Sequence, residues 1–139
     1  MRTLTITLCL GLLALGVASA QIISPVDFSM DTSFTVGNTT LPAGTYEIVP
    51  TDNEGILEVR GAKGVPSVFF EVEPLESLAP FTKTEITFNR YGRNLVLKSI
   101  MVEGETSGAT SIAQHVERQH RKASGKPTKV TRPATKKKK

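Results

Sequence analysis

His115 and His120 are the only histidines of the 139-residue chain. Their five-residue spacing sets them about 140° apart on a helix, which is wrong for the i, i+4 pair that holds zinc. With no cysteine or carboxylate cluster beside them, they read as solvated polar residues rather than metal ligands. Asp27 and Asp31 share one face of a candidate strand but lie about 13 Å apart along it, too far for the paired carboxylates of a glycosidase. Asp52-Asn53-Glu54-Gly55 lacks the alternation and the later bidentate glutamate of a calcium loop, and reads as a tight turn. Gly61-Ala62-Lys63-Gly64 is too short for a phosphate loop and has no closing Ser or Thr. Asn38-Thr39-Thr40 matches a glycosylation sequon in pattern only. Serines and threonines abound, yet no histidine falls among the strand-forming residues to activate one. The chain reads as non-enzymatic, with no catalytic, cofactor-binding or metal-binding residue.

Charge is the chemistry that remains. Residues 21–117 carry six basic side chains (Arg60, Lys63, Lys83, Arg90, Arg93, Lys98) against all thirteen acidic ones, a net of −7. Residues 118–139 carry ten basic side chains and no acidic one: Arg118, Arg121, Lys122, Lys126, Lys129, Arg132, Lys136, Lys137, Lys138 and Lys139. An acidic body with a basic tail is strongly dipolar, although the whole chain is close to neutral. Two readings of the tail follow. It is either a solubilising extension that folds back on its own body, or an anchor for anionic polymer. The tail has no aromatic side chain to stack on bases, so any nucleic-acid binding would be electrostatic and without sequence readout.

The N-terminal residues bear on where such a tail could act. Arg2, the apolar run over residues 4–17 and the small-x-small pattern Ala18-Ser19-Ala20 read as a secretory signal peptide cleaved before Gln21. Cys9, the only cysteine, lies inside that leader and away from a lipobox position. Cleavage leaves no disulfide, no thiol and no transmembrane segment. The expectation is export by the general secretory route to the periplasm or the outside. The anions within reach there are envelope polymer, lipid head groups or extracellular nucleic acid.

The elements that position these charges read as antiparallel β. Residues 28–36 alternate apolar and polar side chains over nine positions, the pattern of one half-buried strand. Further strands are expected at 45–51, 56–60, 67–73, 83–91 and 95–103, separated by turns rich in Gly, Asn and Pro, with a loop at 74–80 where two prolines fall. Alternation turns Phe28, Phe34, Tyr46, Ile48, Val59, Phe70, Val72, Phe88, Leu95 and Leu97 inward. Short strands without helical crossovers imply an all-β fold, a small sandwich or a partly open barrel. Ser111-Ile112-Ala113-Gln114 matches a capping box and opens one short helix, which Gly125 and Pro127 stop. The Lys, Thr, Pro and Ala composition beyond it predicts disorder. The organisation is then a signal peptide (1–20), a β domain (21–104), a linker with a short helix (105–124) and a disordered Lys-rich tail (125–139).

Two stretches carry a resemblance. Phe34-Thr35-Val36-Gly37-Asn38-Thr39-Thr40-Leu41-Pro42-Ala43-Gly44-Thr45-Tyr46 and Phe88-Asn89-Arg90-Tyr91-Gly92 are similar to motifs of a family of small exported β-rich proteins of soil bacteria, to which no activity is assigned. The resemblance spans residues 26–102. It implies an all-β fold behind a signal peptide and carries over no catalytic or ligand residue; the long lysine tail departs from it. The functional expectation is a non-enzymatic β-domain protein that meets anionic envelope or extracellular polymer through the ten basic residues of its tail. The alternative is a small barrel that takes an apolar ligand in its mouth.

Overall fold

The computed structural model describes residues 23–138. The expected leader, with Cys9, and the last tail residue, Lys139, lie outside the described residues. Strand β1 (Val26–Met30) buries Val26, Phe28 and Met30 through its alternation. The chain bends at residues 31–33 and β2 (Phe34–Val36) starts anew. The single strand expected over 28–36 is therefore two, because Asp31 and Ser33 favour a bend over a continued ladder. Gly37-Asn38 makes a two-residue turn into β3 (Thr39–Leu41), with Val36 facing Thr39 and Gly37 at a φ of +57°. Next come β4 (Gly44–Pro50), β5 (Ile56–Arg60) and β6 (Val68–Glu76), then the hairpin of β7 (Glu85–Tyr91) and β8 (Asn94–Met101). The chain finishes with β9 (Ser107–Ser111), helix α1 (Gln114–Ser124) and β10 (Thr128–Lys136).

Eight of these strands close a barrel. The order β8-β7-β10-β1-β4-β5-β6-β9 is antiparallel throughout, and β9 returns to β8 through Ser99↔Thr110 and Ile100↔Ala109. The β2–β3 hairpin is added outside this circle, with Thr35 of β2 parallel to Val96 of β8. Of the two expected architectures the fold is the barrel, and it is closed rather than partly open.

Closure comes from the segment for which composition predicted disorder. Strand β10 runs between β7 and β1, with Thr128↔Arg90 through Pro133↔Glu85 on one side and Val26↔Lys136 through Phe28↔Ala134 on the other. Two open sheet edges flank this slot, and their backbone groups reward pairing with a polar segment that could build no core of its own. Val130 and Ala134 pack against the core, and Thr131 and Thr135 turn outward.

Two smaller expectations are corrected. Strand β6 runs through Pro74, where a loop was expected, and Pro74 pairs in register with Ala109 of β9. The Glu71 carbonyl accepts the Ile112 N–H and the Ser77 N–H donates to the Thr106 carbonyl, so odd-numbered residues bond β9. The nitrogen of Pro74 faces the other side, where β5 has already ended. The helix starts at Gln114 with Ala113 as its N-cap and no side-chain cap. Ser111 instead belongs to β9, opposite Val72.

All ten residues expected inward are buried, along with Val96 and Ile100 on β8. Val96 faces outward from the barrel, into a second small cluster with Tyr91 and Ala113 beneath α1. Four rings meet within the aliphatic interior. Phe34 meets Phe28, Tyr46 and Phe88 edge-on at centroid distances of 5.7, 5.0 and 5.7 Å. The Tyr46 hydroxyl donates to the Pro42 carbonyl at 2.6 Å, which ties the loop before β4 to the core.

The β8–β9 seam is equally close. A Cβ at Gly108 would lie 2.5 Å from the Ile100 carbonyl oxygen, a backbone atom that cannot step aside. Gly108→Ala is expected to destabilise the barrel by about 1–3 kcal/mol. A thermal midpoint equal to that of the parent chain would show that the seam is looser than described.

Candidate polyanion-binding surface

Nine of the ten basic residues singled out in the sequence lie among the described residues, and they do not form one tail. The fold divides them into an exposed set on and after α1 and a set built into the barrel wall.

The exposed set depends on how α1 is seated. Ala113 and Val116 pack on Tyr91 and Val96, the outer side of the β7–β8 hairpin. His120 stacks on Tyr91 with centroids 5.7 Å apart and an interplanar angle of 21°. It is therefore a packing residue, not the solvated one expected. Asn89 Nδ2 donates to Glu117 Oε1 at 2.7 Å, and Lys98 Nζ stands 4.0 Å from Glu117 Oε2. With this face held down, Arg118, Arg121 and Lys122 are exposed, followed by exposed Lys126 and Lys129. None of these five makes an ion pair among the described residues.

A further exposed cation, which the sequence reading had assigned to the acidic body, lies beside them. Arg93 is exposed in the β7–β8 turn, whereas Arg90, though exposed, shares the side of the sheet of its partner Leu95 and faces away from α1. That turn abuts the helix end: a Cβ at Gly92 would lie 3.5 Å from Ser124 Oγ. Residues 86–102 and 112–130 together hold eight basic side chains, and Glu117 is their only acid. The pairing of β7 with β10 and the seating of α1 create this surface. No linear charge count could have found it.

The second set folds back on the body, as one reading of the tail expected. Arg132 NH2 reaches Asp31 Oδ1 at 3.3 Å, Lys136 Nζ reaches Glu105 Oε1 at 3.1 Å, and Lys137 Nζ donates to Glu47 Oε1 at 2.6 Å. The Glu47 hydrogen bond holds the Lys137 ammonium above its ordinary pKa, so it stays charged. Glu105 also accepts from the hydroxyl and the backbone N–H of Ser24, which draws the start of β1 to the same carboxylate. Lys138 is exposed beyond β10, on the wall of an open cleft of about 630 Å³ shared with Ser24, Thr84 and Glu103. Acidic and basic groups alternate there, so this end of the barrel shows no single sign of charge.

Elsewhere the carboxylates are dispersed. Arg60 bonds Glu58 at 2.8 Å and holds its carboxyl below the usual range. Among the described residues no three His, Cys, Asp or Glu side chains come together as a metal site. No helix among them is long and apolar enough to cross a membrane. No family model, curated protein or solved structure matches the chain.

Proposed function

We propose that this chain is an exported, non-enzymatic β-barrel that holds anionic polymer against the surface formed by α1 and the β7–β8 turn. The observation that carries the proposal is the exposed set Arg118, Arg121, Lys122, Lys126 and Lys129, none of them ion-paired among the described residues, with Arg93 beside it in the turn that meets the helix end at the Gly92–Ser124 contact. Its one acid is already engaged by Asn89 and Lys98. Arg118, Arg121 and Lys122 sit on α1 and Lys129 on β10, so their backbone is already ordered before a polymer arrives. No exposed aromatic side chain accompanies them, because Tyr91 is buried under α1. Such a surface neutralises phosphate, sulfate or carboxylate groups without reading a sequence. The alternative, an apolar ligand taken in the barrel's mouth, would have to sit outside the packed rings of Phe28, Phe34, Tyr46 and Phe88.

Substitution, not truncation, is the test, because the chain beyond Glu117 builds part of the barrel. The chain from Gln21 and its Arg118→Glu/Arg121→Glu/Lys122→Glu variant are titrated with heparin. With about five contacts, the parent affinity should fall on the order of 10²-fold between about 50 and about 200 mM salt. The triple variant should bind at least about 10²-fold more weakly at low salt. Equal binding by the two chains, or binding indifferent to salt, removes the proposal.

A further inference from the structure

We propose that β10 is an exchangeable strand, which passes between two copies of this chain to give a dimer in which each barrel is closed by its partner's C-terminal segment. The inference is independent of polyanion binding and rests on how the closing strand is held.

Every residue of β10 is exposed or only half-buried, in contrast to its neighbours β1 and β7, whose inward side chains are buried. Its ladder to β1 covers three residues and stops at Phe28↔Ala134. The cause is Pro133. Ala134 N–H donates to Thr84 beside β7, and Lys137 N–H donates to Pro25 beside β1, so odd-numbered nitrogens face β1. Pro133 has no hydrogen to give on that side, and the ladder ends there. What continues along this seam is ionic: Arg132 with Asp31, Lys136 with Glu105 and Lys137 with Glu47. Pairs of this exposure hold weakly and are screened by salt.

The other requirement for exchange is a short hinge. Gly125-Lys126-Pro127 alone joins α1 to β10, and Gly125 ends the helix by donating to the Arg121 carbonyl. A short connection before a terminal strand invites exchange, because the segment can extend into a second copy instead of turning back. Every contact of β10 is then remade with identical residues. The slot between β1 and β7 accepts β10 by its backbone register, and it has no means of telling whose β10 it holds.

Asn89 and Lys129 provide the test. They face one another outward across β7 and β10 and form a non-hydrogen-bonded pair, the geometry in which a disulfide spans adjacent strands. The chain from Gln21 carries no other cysteine. Asn89→Cys and Lys129→Cys chains are mixed in oxidised glutathione, with Asn89→Cys mixed with Lys63→Cys as the collisional control. Exchange predicts a covalent heterodimer in the first mixture well above the second, forming faster at about 1 M than at about 0.1 M salt. Adding Asp31→Asn and Glu47→Gln, which remove two of the clasps, should speed its appearance roughly two- to thirtyfold. The doubly substituted Asn89→Cys/Lys129→Cys chain should close its own bond and stay monomeric when oxidised before mixing. A first mixture that cross-links no more than the control overturns exchange. A double variant that cannot close its own bond overturns the register on which exchange stands.

Discussion

A chain that stops at Ser124 does not form a barrel. Removing the segment after it takes away both ladders of β10, leaving β1 and β7 with facing rows of unpaired backbone groups. It also opens the wall over Phe28, Ile86 and Phe88, which lie opposite Ala134, Arg132 and Val130. The expected result is loss of the cooperative thermal transition, with binding of a dye for exposed apolar surface and association through the two free edges. A truncated chain that unfolds cooperatively near the parent midpoint would show that the lysine-rich segment is dispensable. The same experiment separates two views of a basic tail. A solubilising extension can be cut without harm, whereas a wall strand cannot.

Phe34→Ala has the largest effect expected of a single substitution. Phe34 lies outside the circle of eight strands, yet it is 1 % exposed and touches the rings of Phe28, Tyr46 and Phe88. Truncation leaves a hole where three aromatic faces met, and those rings are fixed by separate strands that cannot close on it together. The cost should be about 3–5 kcal/mol, a fall in thermal midpoint on the order of 15 °C for a domain of this size. The lost edge-to-face contacts add to the cavity cost. An unchanged midpoint would mean that the β2–β3 hairpin does not plug the barrel as described.

The β body was legible because its code is local. Period-two alternation in residues 26–30, 45–50, 68–72 and 86–91 states which side chains go inward, and each of the ten named inward residues is buried. The bend at 31–33 was missed because Phe34 and Val36 keep the same phase as Phe28 and Met30 on either side of it. Ser111 was read as a helix cap because a Ser-x-x-Gln pattern looks the same at the end of a strand, where β6 claims the residue first.

The tail was misread for a different reason. Its strand places Val130, Arg132 and Ala134 on the inner side, so only two apolar residues mark the buried face, and Pro133 argues against any strand. Thr128, Val130, Thr131 and Thr135 do favour extended backbone, and that was the one signal available. What makes β10 a strand is the pair of edges that receives it, and those edges are more than fifty residues apart in the sequence. The candidate surface was half legible in the same sense. Its helix cations stand together in the sequence, whereas Arg93 comes beside them only through the fold.

Closure of the barrel by its last strand against its first also sets a clock. Val26 cannot find Lys136 until nearly the whole chain is free, so for a chain delivered from its N-terminal end the wall is completed last. Until that moment β1 has one partner, β4, and the emerging polypeptide has an unfinished wall over its core. Lateness of closure thus makes the folding rate hang on one pairing of the longest sequence separation in the wall, and the arrival of a few lysines ends the open state.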